Sequence, residues 1–284
     1  MPHPVDWDAA FRLRESRSRW RESSRSRFGF RSRLEGAGRF GRAQLRYSLV
    51  PFGDERADAP SHEDPVMPGI DFASHDPEFT PEQEAQCARI VDGLRQINTR
   101  AVRLGGSIDS LTAAADRVEA LLASLDEVTE SRALVTYKFP FDLAAPNDIL
   151  RFNPATGRYN PVAPELQMEV LGEKLVIRCE FANCYESAPE TVQGGMVAAI
   201  YDQLLAYVIM VRGFTGPTLW IKVSYQKPTP INVPLRFEAE VDKVDGKKYS
   251  VKGVCYNGDQ IITEAEGMIL GSYELPLEKG GRDA

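Results

Sequence analysis

The sequence predicts an α+β fold: one long central helix wrapped by a curved antiparallel sheet, preceded by a helical hairpin and a disordered arginine-rich arm. Three observations predict it. Residues 194–211 are almost wholly apolar apart from Asp202, Gln203 and small polar edges, the mark of a helix buried on all sides. Before it, two strand-like segments (166–171 and 174–181) flank Gly172-Glu173 as a hairpin. After it come four more such segments (218–226, 235–244, 249–256 and 260–270), with Asp245-Gly246 and Asn257-Gly258 as tight turns between the later ones. A buried helix needs a covering layer, and an antiparallel meander supplies one.

The elements follow in chain order. Residues 1–48 hold 12 arginines, 5 acids and no lysine, with interleaved serines as in Ser24-Arg25-Ser26-Arg27. Such a segment is an electrostatic arm, a targeting peptide, a solvated tail, or sequence translated ahead of a later start such as Met67. The rest of the chain has 22 basic and 36 acidic side chains, an excess that argues against nucleic acid as the main partner. Residues 49–78, rich in Pro, Asp and Gly, read as a linker, so 1–78 form one arm-and-linker unit.

Residues 79–132 read as the helical hairpin. Thr80-Pro81-Glu82-Gln83 combines a capping residue, a first-turn proline and a capping-box glutamine. Cys87, Ile90, Val91, Leu94, Ile97, Ala101 and Leu104 then follow helical spacing as far as Gly105-Gly106. A second helix runs over about 109–128, with Leu111, Val118, Leu122 and Leu125 on one side. Two helices bury little alone, so they should pack on the C-terminal domain or on a second copy. Residues 133–274 form that domain, and 275–284 a tail. Near its start, Asn153-Pro154-Ala155-Thr156-Gly157 is turn chemistry, and 160–164 is a stiff entry segment.

Composition narrows the chemistry. His3, His62 and His75 all lie in the first 75 residues, so the patterned region supplies no imidazole. A Ser-His-Asp triad, a histidine zinc site and a histidine base are excluded there. Cys87, Cys179, Cys184 and Cys255 form no CxxC pair and read as reduced thiols, with no metal and no cofactor expected. No apolar run reaches the roughly 20 residues of a membrane helix, and the first residues lack an apolar signal core. A cytoplasmic protein is expected.

What remains is a carboxylate and backbone donors. Gln193-Gly194-Gly195 opens the apolar helix, where glycine permits close approach and the first amides are unpaired donors for an oxyanion or thioester carbonyl. Asp202 lies eight residues past Gly194, slightly over two turns and about 12 Å along the axis. A carboxylate in such a helix pairs with a polar group across a subunit contact or performs chemistry.

Several motifs resemble the PaaI-type hotdog thioesterases. The run from Tyr185 to Gly195, followed by Asp202, is similar to that family's loop, His-Gly-Gly and aspartate pattern. Tyr225-Gln226-Lys227-Pro228 resembles its strand ending in an aromatic and a proline. Gly246-Lys247-Lys248 resembles its basic hairpin, and Ala265-Glu266-Gly267 its last strand. The resemblance covers about residues 153–272. It implies hydrolysis of an acyl-CoA or acyl-carrier thioester, with Asp202 as general base or nucleophile. Gly194 and Gly195 would polarise the carbonyl and Thr218 orient water. Gln193 and Ser187 would contact substrate, and Lys227, Lys247 and Lys248 the CoA phosphates. It also implies a homodimer or dimer of dimers, with sites shared across the interface.

Gln193 stands where the family has His, and Ser187 and Glu190 where it has Gly. Glutamine orients a loop but takes no proton. The alternative reading is therefore a non-catalytic acyl-CoA-binding or scaffold protein. A hydratase is disfavoured because its Asp-x4-His pair would need histidine where Tyr207 stands.

Overall fold

The computed structural model describes residues 79–129 and 142–275. The predicted arm and linker, the first residues of the C-terminal segment and nearly all of the tail lie outside the described residues.

Helix α1 (Pro81–Ala101) starts with the capping box that the sequence predicts: Thr80 Oγ1 accepts from the Gln83 amide, and Gln83 Oε1 accepts from the Thr80 amide. It stops at Ala101, short of the glycine pair, and Gly106 at φ +127° turns the chain into α2 (Ile108–Asp126), capped by Ser107. Of the two packing options, α1 takes the C-terminal body. Val91 is buried, and Arg95 donates to the carbonyls of Ala163, Gly157, Arg158 and Asn160 at 3.0–3.2 Å. Glu84 adds ion pairs to Arg151 at 2.8 Å and Arg158 at 3.1 Å. None of the residues of α2 is buried.

The described stretch 142–165 runs through turns and a short 3-10 turn (Pro146–Asp148), in keeping with the turn chemistry read at 153–157. Asn153 is the cause. Its Oδ1 accepts from the Ala155 and Thr156 amides, closing the chain on itself before a ladder can form.

The sheet is built from β1 (Leu166–Leu171), β2 (Lys174–Glu180), β6 (Thr218–Tyr225), β7 (Pro234–Asp245), β8 (Lys248–Asn257) and β9 (Gln260–Leu270). The small pieces β3 (Glu186–Ala188), β4 (Thr191–Val192), β5 (Phe214–Thr215) and β10 (Tyr273–Glu274) complete the strands. The main sheet has the order β1-β2-β7-β8-β9-β6, antiparallel at every pairing. Its hairpins share one solution. Gly172, Gly246 and Gly258, at φ +57° to +62°, each stand first in a two-residue loop. Two of these turns therefore sit one residue later than the sequence pattern suggests, as Gly246-Lys247 and Gly258-Asp259. Only glycine takes that φ without cost, so it sets the register.

Helix α3 (Gly194–Met210) lies across β2, β6, β7, β8 and β9. Tyr201, Leu204, Leu205, Val208 and Ile209 are fully buried against Ile177, Leu235, Phe237 and Ile269. Small residues in the sheet let the helix approach. A Cβ on Gly253 would stand 2.9 Å from the Tyr201 ring, and one on Gly267 3.2 Å from Leu205. The expectation of burial on all sides is corrected, because the sheet covers only one side of α3. Gly195 and Asp202 are exposed, and Ala198, Ala199 and Ala206 half-buried.

Candidate functional site

The uncovered side of α3 carries the candidate chemistry, at two stations. The first is its N-terminus. Gln193 is the N-cap: its Oε1 accepts from the Met196 amide at 3.0 Å, the bond a capping side chain normally accepts. The Gly194 and Gly195 amides donate to none of the described residues, as first-turn amides without an intrahelical acceptor. Tyr225, at the end of β6, donates its hydroxyl to the Gly194 carbonyl at 2.6 Å. Burial holds that phenol above its ordinary pKa, which keeps it a donor. A Cβ on Gly194 would touch the Tyr225 ring at 3.4 Å, so glycine lets strand and helix start meet.

The loop before α3 is a small lid of β3 on β4. Glu190 has φ +58°, in the left-handed region, and its amide donates to the Glu186 carboxylate at 2.6 Å. Glycine would hold that turn without strain. Ser187 is exposed on β3.

The second station holds Asp202. It lines a cleft of about 270 Å³ with Thr218, Gln203, Ala206, Met210 and Gly216. A register shift between Thr218 and Trp220 breaks the strict alternation of β6 at that point, a bulge of the kind that re-aims a side chain. Gly216 is required beside it, since a Cβ there would stand 1.8 Å from the Leu270 carbonyl oxygen. Residues 150–154 close the far wall through Leu150, Phe152, Asn153 and Pro154.

The structure thus brings Asp202 and Thr218 together and sets the glycine pair apart from them along the helix. It also divides the lysines. Lys247 and Lys248 stand at the hairpin tip beside Leu270 and Gly271, at the Thr218 end of the sheet. Lys227 follows Tyr225 at the opposite end of β6. All three are exposed.

Sequence reasoning missed the wall contributed by residues 150–154, and Gln203 and Tyr225 as parts of the two stations. No local pattern announces these contacts, because Asn153 meets Gln203 across 50 positions and Tyr225 meets Gly194 across 31.

No family model matches the chain, and no curated protein does. Solved structures do. A thioesterase superfamily protein is 24% identical, with 65% of this chain and 90% of that one covered at a TM-score of 0.57. A phenylacetic acid degradation-related protein from Ralstonia eutropha is 18% identical, over 37% and 83% of the two chains, at a TM-score of 0.35. A hypothetical thioesterase from Streptococcus pneumoniae, solved with coenzyme A, is 16% identical over 39% and 91%, at 0.38. The first overlap alone is close enough to compare folds. One helix wrapped by an antiparallel six-stranded sheet, superposing on most of that relative, gives this chain the same hotdog fold.

Proposed function

We propose that the protein hydrolyses an acyl-CoA or acyl-carrier thioester to the free acid and thiol. The observation that carries this reading is the cleft in which a carboxylate, Asp202, and a hydroxyl, Thr218, face the same small space. Asp202 takes a proton from water that Thr218 orients. The resulting hydroxide attacks the carbonyl carbon, and the tetrahedral intermediate expels thiolate, which leaves as thiol once protonated. Thioesters are activated enough for this without metal or cofactor.

The carbonyl oxygen needs donors, and the unpaired Gly194 and Gly195 amides are suited to it. They lie about 12 Å from Asp202 along one helix, so two copies complete the site, the glycine end of one facing Asp202 of the other. An exposed β6 edge bearing Leu219 and Trp220, and the bare face of α3, support that pairing. Gln193 serves here as a cap and substrate-side contact and moves no proton. Lys247 and Lys248 lie at the Asp202 end, where CoA phosphates would meet them, and Lys227 at the glycine end.

Thiol release from a panel of acyl-CoAs tests the reading. Asp202→Ala is expected to lose about 10²–10⁴-fold in kcat, the usual worth of a positioned base, with KM little changed. Single turnover in oxygen-labelled water separates base from nucleophile, since only a nucleophilic Asp202 acquires label. The second reading, a non-catalytic acyl-CoA binder, is favoured by the use of Gln193 as a cap. It predicts CoA binding with no thiol release from any acyl-CoA.

A further inference from the structure

We infer that Gln203 selects the acyl group: its amide NH2 donates to an uncharged oxygen, keto or hydroxyl, carried on the acyl chain. This rests on the thioesterase reading above. Gln203 lines the same cleft as Asp202 and Thr218. The direction of its amide is forced by a short chain of hydrogen bonds. The backbone N–H groups of Ala155 and Thr156 meet one atom of the Asn153 amide at 2.8 and 3.1 Å. Backbone N–H groups only donate, so that atom is Oδ1. The other atom, Nδ2, then faces Gln203 at 2.7 Å. An amide nitrogen only donates, so the Gln203 atom it meets is Oε1. Gln203 Nε2 is turned away, with both N–H groups given to none of the described residues.

Asn153 has no freedom to undo this. Its backbone N–H donates to the Leu150 carbonyl at 3.0 Å, and its backbone carbonyl accepts from the Gly157 N–H at 2.8 Å. Thr156 Oγ1 adds a further bond to Oδ1 at 3.3 Å. With Oε1 held by Asn153, Nε2 is the polar atom that Gln203 has left for an occupant of the cleft, beside walls of Leu150, Phe152, Pro154 and Met210. Those walls suit carbon, and the donor suits a single oxygen. The Asp202 carboxylate on the same cleft repels an anionic acyl group, which leaves neutral oxygens as the matching acceptors. A pocket that provides a hydrogen bond discriminates against the analogue that cannot accept it.

The test compares kcat/KM for octanoyl-CoA with that for its β-keto, β-hydroxy and δ-keto counterparts. The wild-type protein is expected to prefer at least one oxygenated chain by about tenfold. Gln203→Met keeps the length and removes both polar atoms, so the ratio should fall to about one. Asn153→Asp gives an independent readout. Aspartate still accepts from the two backbone amides but cannot donate, so it draws the Gln203 NH2 to itself and turns Oε1 to the substrate. A keto chain, which only accepts, then loses its advantage, while a hydroxyl, which can donate, keeps it. A keto preference that survives Gln203→Met, or equal wild-type rates on every chain, overturns the inference and leaves the thioesterase reading standing. Turnover of none of these chains by the wild type overturns both. Thermal melts of both variants confirm that they fold, and Asn153→Asp carries the test if Gln203→Met does not.

Discussion

Glu190 shows how one residue records the loop's demands. The chain holds a non-glycine residue at φ +58° and answers the strain locally, with the Glu186 carboxylate accepting the Glu190 amide. A left-handed non-glycine residue costs roughly 1 kcal/mol. Glu190→Gly keeps the backbone N–H that Glu186 accepts from and should therefore raise stability by about 0.5–1 kcal/mol in urea unfolding; a decrease would mean that the added backbone entropy of glycine in the unfolded chain outweighs the relief of strain. Gln193 also carries a local task. Its side chain accepts from the Met196 amide and so caps α3. Asp202 and Thr218 were read from the sequence as candidates, and the structure puts both on one cleft. The place of Gln203 on that cleft was not legible: Asn153 holds its side chain, and a contact across 50 positions leaves no local pattern.

At the scale of elements, strand and helix limits were legible to within a few residues wherever periodicity met a glycine turn, a cap or a capping box. What escaped was which faces are covered. Periodicity gives α1 and α2 similar apolar stripes, yet one is docked and the other bare. The difference is polar. Arg95, 17% exposed, reaches four carbonyls of the 157–163 loop, and Glu84 reaches two arginines. Bonds from a charged donor are each worth about 1.5–3 kcal/mol when buried, less here where Arg95 is partly exposed. Arg95→Leu should free α1, with amide exchange across Pro81–Ala101 rising at least about tenfold while β7 and β8 exchange as before. Unchanged α1 exchange would assign the docking to Val91 and its neighbours instead.

At the scale of the whole molecule, the core holds its thiols as neutral groups. Burial pushes Cys179 and Cys255 well above their ordinary value of 9.0. The folded chain keeps protons that the unfolded chain gives up, so their contribution to stability is complete below about pH 9 and falls as pH rises past it. Each thiol contributes a slope of roughly 1.4 kcal/mol per pH unit. Urea midpoints measured from pH 7 to 11 should hold steady and then decline; Cys179→Ala with Cys255→Ala should flatten most of the early decline, and an unaltered curve would contradict the assignment. The element order has a different consequence, for the chain while it is being made. Helix α3 emerges from the ribosome with only β1 and β2 of the main sheet ahead of it, whereas β7, β8 and β9 all begin after residue 233. Strand β6 must wait as well, because its partner β9 is the last long strand synthesised. A nascent chain with only its first 230 residues outside the ribosome thus exposes its greasiest segment with most of its cover missing, a natural moment for chaperone capture.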